Sequence, residues 1–478
     1  MSEAVTTVDR EAPEQDAQAE AAPAAARSWI ERLWSSIADR GRLFASVPSD
    51  SIPPLDRAKS LVEALLTERG EASGAAVARE VMGALRDLAP ADRAAFHLFM
   101  ATSFGPKPDS LREAALAYLS DPSPANAAHL SRCAEPPRQE LLRRMNMSPG
   151  GTAALVELRR QLLQEMRTEP ALKPLESDLH HLFVSWFNRG FLQLRRIDWQ
   201  TPAAVLEKII RYEAVHEIAG WHDLRRRLAA DRRCYGFFHP SLPDEPLIFV
   251  EVALVQGLSA AVQPLLEAEG EAGAEARAAE ADTAIFYSIS NCQEGLRGIS
   301  FGNFLIKQVV EDLKAELPQL VRFSTLSPIP GFRRWLDKRI ADGAADGELA
   351  LPLSEPEWWR ESARAEGLRA PLMRLCAEYL TGTGERPGER MDPVARFHLG
   401  NGARLERINW LGNTAPRGMQ ESYGLMVNYL YERDEIERNH EAFARGGTVV
   451  RSGGVDALLA PPKALPVRKD KTRPAKAS

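Results

Sequence analysis

Three stretches of the chain combine reactive groups with a backbone stiff enough to aim them. In Phe323-Ser324-Thr325-Leu326-Ser327-Pro328-Ile329-Pro330-Gly331-Phe332, two serines follow a run that reads as a strand. Pro328 and Pro330 rigidify the path beyond it, so a hydroxyl could be held at the strand's C-terminal end. Ser327 would serve equally as an ordinary cap for the turn, and Ser324 is its rival as the functional hydroxyl. The pattern is not the GxSxG nucleophile elbow, and no Ser–Asp–His order can be read from spacing, which disfavours a covalent acyl-serine.

The second stretch is Arg396-Phe397-His398-Leu399-Gly400-Asn401-Gly402-Ala403, where His398 stands just before a Gly–Asn–Gly turn. Imidazole can give a proton, or stabilise developing negative charge, near neutral pH. On local chemistry alone His216, His222 and His239 compete with it. His180 and His181 are adjacent and lack the i,i+4 spacing that puts two ligands on one helical face. No third ligand follows His216 and His222 at zinc-site spacing, and the four cysteines form no CxxC pair, so the pattern points away from metal catalysis.

The third stretch runs from Gln293 through Gly295, Arg297, Gly298, Ile299, Ser300, Phe301 and Gly302 into a helix beginning near Asn303. Its glycines allow close approach of backbone to ligand, and a helix N-terminus offers free N–H groups to a phosphate. Neither GxxxxGK[ST] nor a full GxGxxG is present, so ATP and NAD are poor ligands for it. A strand, glycine-rich turn and helix can cradle a pyrophosphate, although the same glycines would suit a plain tight turn.

The elements that must position these groups fall into two kinds. From about residue 53 to 190 apolar residues recur at three and four, as in AKSLVEALLTER and GTAALVELRRQLLQEM, with breakers at Gly70, Pro90, GPKP and Pro122–Pro124. This predicts a helical bundle with short loops. FVSWFNRGFLQLRRIDW marks the junction, and Thr201 with Pro202 reads as the capped start of the next helix. RRCYGFFHP and EPLIFVEVALVQG then predict a strand pair joined by a turn in SLPDEP. An exposed loop is expected at 269–282, a strand at ADTAIFYSIS, a helix at 303–317, a strand at LVRFSTLS and a helix after PIPGF. Residues 337–366 read as loop, 368–380 as helix, and 421–446 as helical or mixed. Strand, glycine-containing loop, helix and strand make an α/β arrangement.

The length of 478 residues calls for more than one core. A net charge of -6 leaves no broad positive field for nucleic acid or an anionic membrane, so any anion site must be local. Residues 1–26 are rich in Ala, Glu and Pro and read as a disordered tail, and 461–478 as a flexible basic tail. With no apolar run of membrane-spanning length, no leader-like N-terminus and a C-terminal AKAS, the expected location is cytoplasmic.

IFYSISNCQEGLRGISFGNFLIKQVVEDLKAELP, RFSTLSPIPGFRRWL and FHLGNGARLERINW, preceded by RYEAVHEIAGWHDLRRRL and RRCYGFFHPSLPDEPLIFVEVAL, together resemble the malonyl-CoA decarboxylase family. The likeness covers most of residues 183–437. It implies a mixed α+β protein: a helical assembly or scaffold domain over 27–190, then an α/β catalytic domain over 191–460 resembling the GNAT (N-acetyltransferase) fold. It implies a carboxy-lyase that turns malonyl-CoA into acetyl-CoA and CO₂ without a cofactor, because the thioester is itself the electron sink. It assigns Ser327 and His398 as catalytic, and Arg297, Gly298, Ile299, Ser300, Phe301, Gly302 and Asn303 as the CoA pyrophosphate loop. A homotetramer is the expected assembly. The alternatives are a CoA-dependent N-acyltransferase and a non-catalytic CoA-binding protein; release of CO₂ without an acceptor separates them.

Overall fold

The computed structural model describes residues 29–42, 45, 52–68, 70–267, 273–299, 301, 305–343, 348–382 and 391–460. Both tails lie outside these residues, as do Ser300, Gly302 and Asn303 of the glycine-rich stretch.

The chain folds as an N-terminal helical bundle followed by an α/β domain. Helices Pro54–Thr67, Pro90–Ser103, Pro108–Ser120, Pro124–Ala134 and Pro137–Asn146 each open on the proline itself. Proline is favoured there because its φ is already helical and its missing N–H is not needed. The same prolines that break the apolar pattern therefore start the next helix. Glu71–Asp87, Gly151–Glu165 and Lys173–Trp186 complete the main packing, with Leu61, Val81, Leu142, Leu155, Leu179 and Phe183 buried among them.

The second half is built on a seven-stranded sheet: β1 (Gln193–Ile197), β2 (Arg232–His239), β3 (Leu242–Val255), β4 (Thr283–Asn291), β5 (Arg322–Thr325), β6 (Arg404–Asn409) and β7 (Met426–Leu430). The order is β1-β2-β3-β4-β5-β7-β6, antiparallel except for the pair β4 and β5. A parallel pair needs a crossover, and helix Leu305–Glu316 supplies it. Alternation sorts the faces: Phe237 and Val250 join the main core with Val309 and Phe323, while Phe238 and Phe249 pack with Val205 and Ile209 of helix Ala203–Tyr212. The main core runs without a break from the bundle into the sheet, since Leu162, Leu296, Val309 and Leu405 belong to one cluster.

Two features of the sheet make room for a site. Register slips between Glu251 and Val252, opposite Ser288 and Phe286, leaving Tyr287 as the extra residue of a bulge that re-aims the end of β4. β4 pairs with β5 only from Thr283 to Phe286, so its last residues part from β5.

Several elements depart from expectation. Residues 269–282 hold helix Ala274–Glu280 in place of a loop, since alanine, glutamate and arginine form helices without large side chains. The junction contains β1, and the 421–446 stretch contains β7 before helix Ile436–Gly446. Residues 337–366 include the end of helix Phe332–Ala341, helix Ala350–Ser354 and the start of helix Ser362–Thr381. β3 begins at Leu242, inside the anticipated turn. Thr201 is no cap: its Oγ1 accepts from the Asp198 N–H, and Pro202 occupies the cap position. No helix among the described residues is long and apolar enough to cross a membrane.

Candidate active site

Ser327 stands just past β5. Its backbone exchanges hydrogen bonds with Val427 of β7, at 2.8 and 3.0 Å, so the residue is pinned by the sheet although outside the strand. His398 lies in the last turn of helix Pro393–Gly400. Asp392 fixes that helix: one carboxylate oxygen accepts from the Val394 and Ala395 N–H groups, the other from the Gly331 N–H at 3.2 Å and the Tyr379 hydroxyl. One buried carboxylate thus clamps the histidine's helix to the PIPGF turn that follows the serine. Burial raises its pKa from the ordinary carboxylate value. Gly331 is required there, because a Cβ would stand 2.1 Å from the Tyr379 hydroxyl.

These supports bring Ser327 Oγ to 3.0 Å from His398 Nε2. The other imidazole nitrogen, Nδ1, is 2.9 Å from the Tyr431 hydroxyl, and the ring stacks on Tyr429 with centroids 4.7 Å apart. The proton positions follow from the partners available. Ser327 donates to Thr325 Oγ1 at 2.8 Å, so its oxygen accepts from Nε2–H. Burial holds the Tyr431 phenol well above its ordinary pKa, so it stays protonated and donates to Nδ1. The network therefore selects the neutral Nε2–H tautomer. His398 is buried, and loss of hydration pushes its pKa down to about 3.

The pair opens on a cavity of about 360 Å³ where β4 and β5 part, lined also by Phe286, Ile289, Leu305 and Phe397. Among the described residues, no Asp, Glu, Lys or Arg lines it. A charged group entering would exchange water for fixed dipoles and apolar walls.

Ser324 is held apart from this cavity: it lies inside β5, fully buried, and donates to the Tyr429 carbonyl at 3.1 Å. Of the rival histidines, His222 is exposed, His239 accepts from the Ser241 N–H, and His216 is buried with its pKa lowered to about 4. None of the three lines the cavity. In the glycine-rich stretch, Arg297 and Gly298 are exposed and Ile299 and Phe301 are buried, with Gly298 at φ 83°. Helix Leu305–Glu316 follows, and its Leu305 and Ile306 line the cavity.

Residues 190–469 match the malonyl-CoA decarboxylase C-terminal domain, and residues 104–187 match the N-terminal domain of the same enzymes. The chain belongs to the malonyl-CoA decarboxylase family. It is similar to the crystal structure of malonyl-CoA decarboxylase from Rhodopseudomonas palustris, with 51% identity and a TM-score of 0.79 over 84% of this chain and 99% of that one. Malonyl-CoA decarboxylase from Agrobacterium vitis gives 50% identity and a TM-score of 0.78 over 84% of this chain and all of that one. Among curated relatives, the mitochondrial malonyl-CoA decarboxylase of Anser anser anser is 40% identical over 64% of this chain, and that of Rattus norvegicus 38% over 65%. These matches span 66% and 68% of the relatives' own lengths.

The family membership corrects one expectation. The goose, rat and mouse family members are mitochondrial enzymes, so the cytoplasmic location read from tail composition does not stand. Charge and hydropathy of terminal segments do not fix the compartment of a malonyl-CoA decarboxylase.

Asp392, Thr325, Tyr429 and Tyr431 escaped the sequence reading. Asp392 before Pro393 is a helix-start signal. Tyr429 and Tyr431 stand two apart at the end of β7, the spacing that puts both on one side of a strand.

Proposed function

We propose that this chain decarboxylates malonyl-CoA to acetyl-CoA and CO₂, with Ser327 and His398 at the reacting end and residues 297–303 receiving the CoA pyrophosphate. The observation that carries the reading is the 3.0 Å Ser327–His398 contact in the wall of a cavity with no charged side chain among its described lining residues. The substrate's carboxylate replaces bulk water with that lining, while the departing CO₂ is neutral and loses nothing by it. An anion beside the imidazole raises its pKa, so substrate enters with a proton on His398. The bond between the α carbon and the carboxylate breaks, its electron pair passes into the thioester carbonyl, and CO₂ leaves. Ser327 turns its hydroxyl from Thr325 to the carboxylate and holds the breaking bond across the thioester plane. The imidazolium, with Nδ1–H donating to a Tyr431 hydroxyl turned to accept, stabilises the enolate and gives its Nε2 proton to the α carbon. The ring is left neutral with its proton on Nδ1 and regains the Nε2–H form by exchange with solvent, so each turnover consumes one proton. A donor aimed at such an oxyanion is worth about 3 kcal/mol.

The same reading divides the chain into a helical assembly domain over 27–190 and a catalytic domain over 191–460 built on the GNAT plan. The mixed sheet, antiparallel apart from one parallel pair that parts at the site, supports that plan. Assembly as a homotetramer through the bundle is supported by exposed Leu116 and Leu119 on helix Pro108–Ser120.

Mass spectrometry of the thioester after incubation with metal-free protein tests the reaction, and conversion to acetyl-CoA without an acceptor is expected. Intact malonyl-CoA in the presence of folded, CoA-binding protein refutes it.

A further inference from the structure

The glycine-rich turn is held from the helical half of the molecule. Arg159, on helix Gly151–Glu165, is buried to 2% exposure. Its Nη1 donates to the Gly295 carbonyl at 2.6 Å and to the Arg297 carbonyl at 3.0 Å. Its Nε and Nη2 donate to one oxygen of Glu176, at 3.1 and 2.8 Å, a carboxylate on the neighbouring helix Lys173–Trp186. Gly295 lies directly against helix Gly151–Glu165: a Cβ there would stand 2.0 Å from the Val156 carbonyl oxygen, so the approach is possible only for glycine.

We infer that Arg159, braced by Glu176, is a positioning residue for coenzyme A, setting from the helical bundle the shape of the turn that takes the pyrophosphate. The inference rests on the reading of residues 297–303 as the CoA loop. A planar guanidinium satisfies two turn carbonyls and a carboxylate at once; an ammonium is a point donor and cannot span all three. One of the two carbonyls it ties down lies inside the 3₁₀ turn Glu294–Leu296 and the other just past its end, so together they fix where the chain starts toward Gly298. Neither Arg159 nor Glu176 lines the cavity that holds Ser327 and His398, which separates binding of the coenzyme's handle from the chemistry.

The test compares malonyl-CoA with malonyl-N-acetylcysteamine, a thioester with the same reacting end and no pyrophosphate. For Arg159→Lys the KM for malonyl-CoA should rise about ten- to a hundredfold, the range for losing charge-assisted hydrogen bonds, with kcat held within about twofold. On the truncated thioester the variant should match wild type. Glu176→Gln, which weakens the brace and keeps the guanidinium, should move KM in the same direction by less, and it covers the case in which Arg159→Lys fails to fold. Equal losses on both thioesters mean a general structural role and overturn the inference. An unchanged KM for malonyl-CoA in both variants, while Gly298→Val raises it, overturns the inference and leaves the loop reading intact. If Gly298→Val also leaves KM unchanged, the loop reading fails and the inference falls with it.

Discussion

Replacing Tyr431 with phenylalanine isolates the tautomer of His398 from every other property of the site. The ring is 2% exposed and the two side chains differ by one oxygen, so packing is preserved. What is lost is the 2.9 Å donor to Nδ1. A buried acceptor left without its partner costs about 1–3 kcal/mol. Moving the proton from Nε2 to Nδ1 no longer meets a competing phenol, and each such move takes the donor away from Ser327 and the cavity. If that cost falls on the reactive tautomer, kcat should drop about five- to 150-fold, since 1.4 kcal/mol is a factor of ten. The KM for malonyl-CoA should change little, because the loop at Arg297 and Gly298 is untouched. Steady-state release of acetyl-CoA gives both constants, and imidazole nitrogen NMR reports which nitrogen carries the proton. A folded Tyr431→Phe protein with full kcat and unaltered imidazole signals refutes the reasoning.

Ser327→Ala and His398→Ala should each lower turnover about a hundredfold or more with CoA binding retained by titration. Ser324→Ala, which removes the hydroxyl's bonds to the Tyr429 and Thr325 carbonyls, should keep most activity and lose about 1 kcal/mol of stability in urea unfolding. His398, depressed to about 3 in the fold, refuses a proton that the unfolded chain accepts below about pH 6.5. Its neutral burial therefore makes stability fall as pH drops from about 6.5 to about 3, at up to about 1.4 kcal/mol per pH unit. His398→Gln should flatten the profile in that window relative to wild type; parallel profiles refute the assigned protonation state.

The helices of the first half were legible because prolines and apolar periodicity act locally, and Pro90 and Pro124 state where a helix opens whatever it packs against. The α/β order around β4, helix Leu305–Glu316 and β5 was legible for the same reason. Ser327 and His398 were legible only through whole phrases of the family, since their pairing spans 71 residues and no local rule links them. What separates Ser327 from Ser324 is the point at which β5 ends, a matter of register with β7 that the serines themselves do not encode. Asp392 went unread because its meaning lies in Gly331, 61 residues away. Arg159 looked like one more charge on an amphipathic helix; its partners are carbonyls 136 and 138 residues downstream, and side-chain type says nothing about them.

The place of β7 in the sheet has a consequence for biosynthesis. A strand made almost last is inserted between β5 and β6, and the Ser324 hydroxyl meets its acceptor carbonyl only 105 residues later. On the ribosome, the meander from β1 to β4 can pair as it emerges, while β5 waits with one edge bare until Met426–Leu430 clears the exit tunnel. Ser327 hangs from that same late strand through Val427. A nascent chain therefore carries its glycine-rich turn well before Ser327 and His398 can be brought together, and messages truncated upstream of Met426 yield proteins with a bare sheet edge and no anchored Ser327.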